Sequence, residues 1–391
     1  MYDIIIIGGG LAGLISSFRL SFWGYNVLLI EKQSYPLHRV CGEYISNEVK
    51  DFMEMHQLLP NIELPQINEL TVSSPNGNQF HMPLGLGGFG ISRFTIDQYL
   101  FEKSKQAGTT VLQNTKVHHF DFDGSFFTVN TTKGESFQAP LLIGAFGKRS
   151  LLDKQMKRPF IQSKSPYIGI KYHIKNPIPT NQIALHNFKD GYCGISKVEE
   201  GKTNLCYLSS RQNLKKFGSI EKMEQEVLFE NPHIRQIFEE SEFLFEKPIV
   251  INEISFSAKS CIEQHVMMAG DSAGLITPLC GNGMAMAIHS AIILTDLIGI
   301  YFKKGEKVNR EQLENAYQQK WQQAFAFRLN AGRQLQKLFG SKKLTNHTVN
   351  ILKHLPTVSK WLVSLTHGKP ITYAKAPLQQ KNRQPSQEGH L

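Results

Sequence analysis

The sequence has no CxxC pair and no His/Cys/carboxylate cluster at metal-ligand spacing. Its five cysteines, Cys41, Cys193, Cys206, Cys261 and Cys280, are scattered. That excludes a zinc site and a disulfide framework and leaves free thiols. A GKS phosphate loop and a supported serine triad are also missing. No run of about 18 apolar residues occurs, so no membrane-spanning helix is expected. The opening MYDIIIIGGG is apolar but has neither a basic leader nor a cleavage site. It reads as a strand, which makes the cytoplasm the expected location. Acid is nearly absent from the end of the chain: residues 331–391 hold ten Lys or Arg and one acid, Glu388. The other 330 residues carry 33 bases against 32 acids, so the net charge of +10 sits almost wholly in the tail. A globally basic nucleic-acid binder is thereby excluded.

What is present is ample for a folded core. The chain has 391 residues, 41% of them hydrophobic and 19% charged. At roughly 150 residues per domain, two or three units are expected. The apolar run Tyr2–Ile7, the glycines Gly8–Gly13, a helical stretch from Leu11 to Trp23 and a second apolar run, Tyr25–Ile30, make a βαβ unit. After Pro60 the pattern turns to alternation. Glu69–Ser73 and Asn78–Met82 predict strands joined at Pro75-Asn76-Gly77, followed by a Gly-rich stretch, Gly85–Gly90. Helical periodicity returns at Thr95–Ala107, and residues 165–210 alternate again. Met284–Tyr301 and 311–340 read as helices, and 346–366 as one amphipathic helix. A dinucleotide-type sheet thus opens the chain, is interrupted twice by antiparallel material, and resumes near residue 255.

Two motifs carry chemistry. In Gly8-x-Gly10-x-x-Gly13, Gly8 allows the tight turn, Gly10 a close phosphate approach, and Gly13 close helix packing. The amides of Leu11 and Ala12 open the helix toward a pyrophosphate, and Glu31, beside Lys32 at the next strand end, suits a ribose diol. This motif alone does not separate FAD from NAD. The second is Gly270-Asp271-Ser272-Ala273-Gly274, then Pro278, Gly281, Asn282, Gly283 and a helix from Met284. A carboxylate at a strand's C-terminal end suits a ribityl hydroxyl, the glycines admit a flat ring, and the helix end aims positive charge at it. A plain Gly-Asp turn with a helix cap is the alternative.

These motifs, with Arg93-x-x-x-Asp97 and the Gly144–Ser150 segment, resemble the flavoproteins of the para-hydroxybenzoate hydroxylase fold. Arg39-Val-Cys-Gly-Glu43 and the Pro278…Gly281-x-Gly283 spacing are most similar to the geranylgeranyl reductase-like branch. The resemblance spans about residues 1–310. It implies an α/β fold in which a Rossmann-like FAD-binding domain (1–60, 91–150, 255–310) is interleaved with an antiparallel β-sheet substrate domain (61–90, 151–254), plus a basic helical C-terminal region (311–391). By it, Gly8, Gly10, Gly13 and Glu31 hold the ADP half. Arg39 and Arg93 lie near the pyrophosphate or adenosine, Asp271 holds the ribityl chain, and Gly281 to Met284 face the isoalloxazine. Cys41, Glu43 and Tyr44 are the candidate catalytic groups: Cys41 as proton donor or space filler, Glu43 and Tyr44 as acid–base groups or as caps.

The resemblance implies an FAD-dependent oxidoreductase acting on a lipophilic small molecule, isoprenoid, fatty or polyketide-derived, by reduction. A flavin monooxygenase and a non-catalytic flavin-binding partner protein are the alternatives. Two departures bear on this. The usual Ala-Asp-Gly is Ala145-Phe146-Gly147, which argues against NAD(P)H as direct donor and for an electron-donor protein. Gly274 replaces the His usual in aromatic hydroxylases. A WxWxIP motif is absent, which separates the chain from flavin halogenases. Tyr167, Lys171, His173, His186, Tyr192 and Tyr207 fall on alternating strands and read as half-buried substrate-side residues. The leucines and Trp361 interleaved with lysines in the tail read either as helices packed on the body or as a peripheral contact with anionic lipid.

Overall fold

The computed structural model describes every residue except 163–164, 255, 276–280, 339–340, 366–367 and 375–391. Four consecutive isoleucines, Ile4–Ile7, form a strand buried on both faces. Branched apolar side chains without alternation are what a central parallel strand requires. It lies between Val27–Ile30 and Leu141–Gly144, parallel to both. The sheet extends outward through Thr110–Leu112 on one side and Val266–Met268 on the other, again in parallel. A short antiparallel edge, Ile262–Glu263, completes its six strands.

The helix Leu11–Phe22 packs against Gly283–Tyr301 and Arg93–Gln106. Its Arg19 is buried, bonding to the Ile292 carbonyl (3.1 Å), Thr295 Oγ1 (2.5 Å) and Asp296 (2.7 Å). Gly283–Tyr301 is long and apolar enough to cross a bilayer, more than the sequence reading allowed. It is instead a core helix, held between Leu11–Phe22 and Arg310–Leu338. Leu313, Tyr317, Trp321 and Phe325 of that last helix are buried in the same core as the parallel sheet.

The second sheet has nine strands. Most pairs are antiparallel, but Gln182–Phe188 runs parallel to Gln66–Ser73. The Gly-rich stretch Gly85–Gly90, which carries no strand signal in the sequence, is part of a strand, Gln79–Gly90. Glycine is needed there because Tyr44–Ser46 lies alongside. A Cβ at Gly88 would run into the Tyr44 ring and the Ile45 carbonyl. The two sheets are tied together by Glu199, whose carboxylate accepts from the Ser92 N–H (2.8 Å) and Thr95 Oγ1 (2.6 Å) at the start of Arg93–Gln106. The single amphipathic helix expected over 346–366 is two, Lys342–His354 and Pro356–Ser364. Pro356 has no N–H to continue the first helix and starts the second.

One face of the nine-stranded sheet is covered by Arg211–Phe217, Ile220–Val227 and Pro232–Glu240, around Met223, Leu228 and Ile234. Glu224 is buried there and accepts from Tyr207 Oη (2.6 Å) and Tyr172 Oη (3.0 Å). Burial pushes its carboxyl up to about 7, against the pull of the two hydroxyls. An acid whose folded pKa is raised keeps a proton that the unfolded chain has already lost. Its contribution to stability therefore falls as pH rises from about 4.3 towards 7 and then levels off. Relative to the parent, Glu224→Gln should gain about 2 kcal/mol of stability between pH 5 and pH 8, read from urea midpoints. A pH-independent difference would show that Glu224 is not protonated in the fold.

Candidate active site

The glycine turn is shaped by contacts that no side chain could share. Gly8 has φ +106°, and a Cβ on it would collide with the Ala145 carbonyl. One on Gly13 would collide with the Gly8 carbonyl oxygen. At Gly10 the nearest atom is Arg93 Nη2, 3.7 Å away, so the space above that residue is open. Gly10 caps the helix without a side-chain hydrogen bond. The first-turn amides, those of Leu11, Ala12 and Gly13, are thereby left for an anion.

Glu31 accepts from the Gly9 N–H (2.7 Å) and the Gln33 N–H (3.0 Å). Arg39 reaches it at 3.4 Å and donates to Asp97 at 3.1 Å. Arg93 grips the same Asp97 through two bonds, 2.8 and 2.7 Å. The buried Asp97 carboxylate therefore gathers both arginines beside the open glycine. Lys32 is exposed to solvent. An uncapped helix end, a carboxylate at the strand end and two held guanidiniums fit the ADP half of FAD.

Cys41, Glu43 and Tyr44 sit where this turn meets the nine-stranded sheet. Glu43 is wholly buried with φ +54°. Its carboxylate accepts from the Arg93 N–H (2.7 Å), from His173 (2.6 Å) and from Lys171 Nζ. Burial pushes its pKa up, but the Lys171 charge and the His173 bond outweigh this, so it stays below the usual carboxylate range. Glu43 is thus an ionised anchor. Lys171 and His173, read from alternation as half-buried, are almost fully buried because both faces of their strand are covered. Behind them His38 stacks on Phe94 and meets Phe245, with ring centroids 4.6 and 4.8 Å apart. Burial and the Lys171 charge pull His38 down to about 4, so it is neutral near pH 7.

The Cys41 carbonyl accepts from Asn204 Nδ2 (3.1 Å), and its thiol lies beside the Arg93 guanidinium. Tyr44 is buried, with its ring 3.7 Å from the place a Cβ on Gly281 would take. Burial pushes its hydroxyl pKa up, and among the described residues that hydroxyl has no hydrogen-bond partner.

The second motif forms a one-turn helix, Gly270–Ser272, directly after the strand Val266–Met268. Gly270 takes φ +63° and donates its N–H to Ser290 Oγ (2.8 Å). Sequence reasoning missed what fixes this turn. Lys259 Nζ donates to the carbonyls of Asp271 (2.7 Å) and Lys148 (2.8 Å), and lies 4.4 Å from the Phe160 ring centre. Burial pulls its pKa down to about 8. Ser272 Oγ accepts from the Gly147 N–H (2.9 Å). Arg158 bonds Asp153 (2.8 Å) and the carbonyls of Ser272 (2.9 Å) and Ser260 (2.6 Å). Asp271 and the Ala145–Gly147 segment are therefore one assembly. These partners carry no spacing signal in the sequence, and only the fold brings them together.

Asn282 caps the helix Gly283–Tyr301 and bonds the buried Glu48, which also pairs with Arg328 at 2.9 Å. Trp321 and Phe325 line a cleft with Asp271, Gly274 and Gly283. The helix Arg310–Leu338 thus borders the cleft beside Asp271, although it lay beyond the motifs. Pro278 and Cys280 lie outside the described residues.

A family model described as FAD binding domain matches residues 1–320. The digeranylgeranylglycerophospholipid reductase of Methanosarcina acetivorans is 24% identical over 341 residues, 83% of this chain and 81% of that protein. Conditioned medium factor receptor 1 of Dictyostelium discoideum is 23% identical over 323 residues, 74% of this chain. The match spans 62% of that receptor's length. Among solved structures, a geranylgeranyl bacteriochlorophyll reductase-like protein of Thermoplasma acidophilum aligns with TM-score 0.74 at 16% identity, covering 93% of this chain and 95% of that one. A flavin-dependent brominase aligns with TM-score 0.73 at 18% identity, covering 93% of each chain. At these identities the structural likeness speaks to fold. The matches bear out the expected fold class and FAD as the cofactor.

Proposed function

The chain belongs to the FAD binding domain family and is an FAD-dependent oxidoreductase; from that premise we propose that it reduces a lipophilic, isoprenoid-type substrate. The observation that carries the reading is an apolar layer on the inner face of the nine-stranded sheet. It runs from Tyr44 and Leu275, which flank the second motif, through Phe80, Met82 and Leu185 to Val349 and Leu352. A long hydrocarbon would need an apolar layer of this kind, opened between side chains that here are packed and buried. The reductases among the sequence relatives point the same way.

FAD, when bound, supplies the two-electron chemistry, and the protein supplies binding, orientation and protons. The glycine turn, Glu31, Arg39 and Arg93 would hold its ADP half. Asp271 would hold the ribityl chain, with Gly281, Asn282, Gly283 and Met284 against the ring. This assigns 1–60, 91–150 and 255–310 to the cofactor and the intervening segments to the substrate. Cys41, beside Arg93, and Tyr44, facing Gly281, are the groups able to hold a proton, while Glu43 keeps their loop in place. Phe146 stands where an acid usually serves pyridine nucleotides, so electrons arrive from a donor protein.

The test is anaerobic reduction of the purified flavoprotein, followed by turnover with a polyprenyl lipid monitored by mass. The expected result is a flavin slow to react with NADPH, reduced by dithionite, and a product heavier by two hydrogens per double bond. Substrate-dependent oxygen uptake with a hydroxylated product would overturn the reading. Asp271→Ala should retain FAD at least about 10-fold less tightly at unchanged melting temperature, an affinity loss of about 1.4 kcal/mol. Unchanged FAD occupancy in that variant would remove Asp271 from the cofactor's contacts.

A further inference from the structure

We propose that the paired helices Lys342–His354 and Pro356–Ser364 rest on an anionic lipid surface. Their inner side is built for packing. Thr345, Val349, Leu352 and Ser359 are buried, and both helices lie against the strand Gln79–Gly90. Their outer side is not. Leu344, Ile351, Leu355, Val358 and Trp361 are 42, 42, 45, 40 and 59% exposed. Leu344 and Ile351 are two turns apart and share one side of their helix, and Val358 and Trp361 share one side of the next. Scattered exposed leucines need no explanation, whereas five along one pair of short helices make a ridge.

The charge around the ridge selects its occupant. Lys343, Lys353 and Lys360 are exposed along it, as are His347 and His354. Lys342 pairs with Glu230 at 3.0 Å. Residues 341–374 contain no Asp or Glu. A second copy meeting this face through a two-fold axis would bring lysines against lysines. An anionic bilayer takes both parts at once: apolar side chains and the Trp361 ring enter the interface, and the lysines reach lipid phosphates. The same helices close the apolar layer that begins at Tyr44 and Leu275. A face resting on lipid would therefore bring a lipophilic substrate to the layer's outer edge. That purpose rests on the reading of the substrate given above, while the binding itself does not.

The experiment uses the full chain with its flavin. It is sedimented with vesicles of phosphatidylcholine containing about one-third phosphatidylglycerol, and with phosphatidylcholine alone. Binding to the anionic vesicles should be at least about 10-fold tighter and should weaken as salt rises from about 0.1 to 0.5 M. Leu355→Glu/Trp361→Glu should lose about 10-fold or more of that binding. Its flavin content, melting temperature and reduction by dithionite should be unchanged. Trp361 fluorescence should shift to the blue on binding, and the shift should vanish in Trp361→Phe.

Equal binding to both vesicle types would overturn the proposal, as would none to either. So would a dimer, seen by light scattering, that the double variant dissolves. Those results with flavin redox intact remove the lipid surface alone. Loss of flavin or of lipid reduction in an enzyme that still binds vesicles removes the substrate reading alone.

Discussion

Gly10→Val should fold as the parent does and purify without colour. A Cβ there meets only the far end of the Arg93 side chain, Nη2 at 3.7 Å, so the branch point is tolerated by the fold. The new methyls stand instead in the space above the helix end, where the pyrophosphate must come to reach the amides of Leu11, Ala12 and Gly13. A loss of about 100-fold in FAD affinity is expected, some 2.7 kcal/mol. Gly13→Val makes the contrast. Its side chain would collide with the Gly8 carbonyl oxygen inside the turn, so the loss is of the fold, seen as insoluble protein or a much lowered melting temperature. Measuring circular dichroism and flavin absorbance together separates the two. A yellow Gly10→Val protein would mean that the phosphates lie elsewhere.

The second large effect lies at Glu43. Removing this carboxylate leaves Lys171 and His173 without an anion in a place water does not reach. Glu43→Ala should cost about 3–5 kcal/mol in urea unfolding, the range for one half of a buried pair. The sign of the pH dependence follows from the direction of the shift. Its folded pKa lies below the unfolded one, so the stabilisation is present above about pH 4.3 and fades as pH falls through the folded value. The parent should therefore lose stability steeply in acid, and Glu43→Ala should show a flatter profile there. Because a buried ion pair can be replaced by matched apolar groups at little cost, Glu43→Leu/Lys171→Met should recover much of the loss. A single-variant cost under about 1 kcal/mol would show the network to be solvated.

Much of the cofactor domain was legible because its signals are local. Four isoleucines before three spaced glycines specify a buried strand, a turn and a helix within twenty residues, and Glu31 follows at the next strand end. The place of Asp271, directly after a buried strand, was legible for the same reason. What escaped depends on residues far apart in the chain. Lys259 and Arg158 gain meaning only when their donors reach carbonyls at Lys148, Asp271, Ser260 and Ser272. Alternation placed Lys171 and His173 on one side of a strand but could not say that the Cys41–Tyr44 loop covers that side. Gly85–Gly90 gave no strand signal because glycine disfavours strands in general, and the neighbour that demands it, Tyr44, lies some forty residues earlier.

The order of strands in the parallel sheet bears on how the protein is made. Ile4–Ile7 leaves the ribosome well before its neighbour Leu141–Gly144, which follows some 135 residues later. The next strand out, Val266–Met268, trails by more than a hundred further residues, and the acid of the second motif comes directly after it. An apolar strand of this kind must wait, covered by a chaperone or by transient contacts, until both partners are synthesised. The dinucleotide turn at its end is then without the second motif until about 260 further residues are made. The two motifs therefore come together only once Asp271 has been made, and a product truncated before Val266 would leave the Leu141–Gly144 edge of the sheet uncovered.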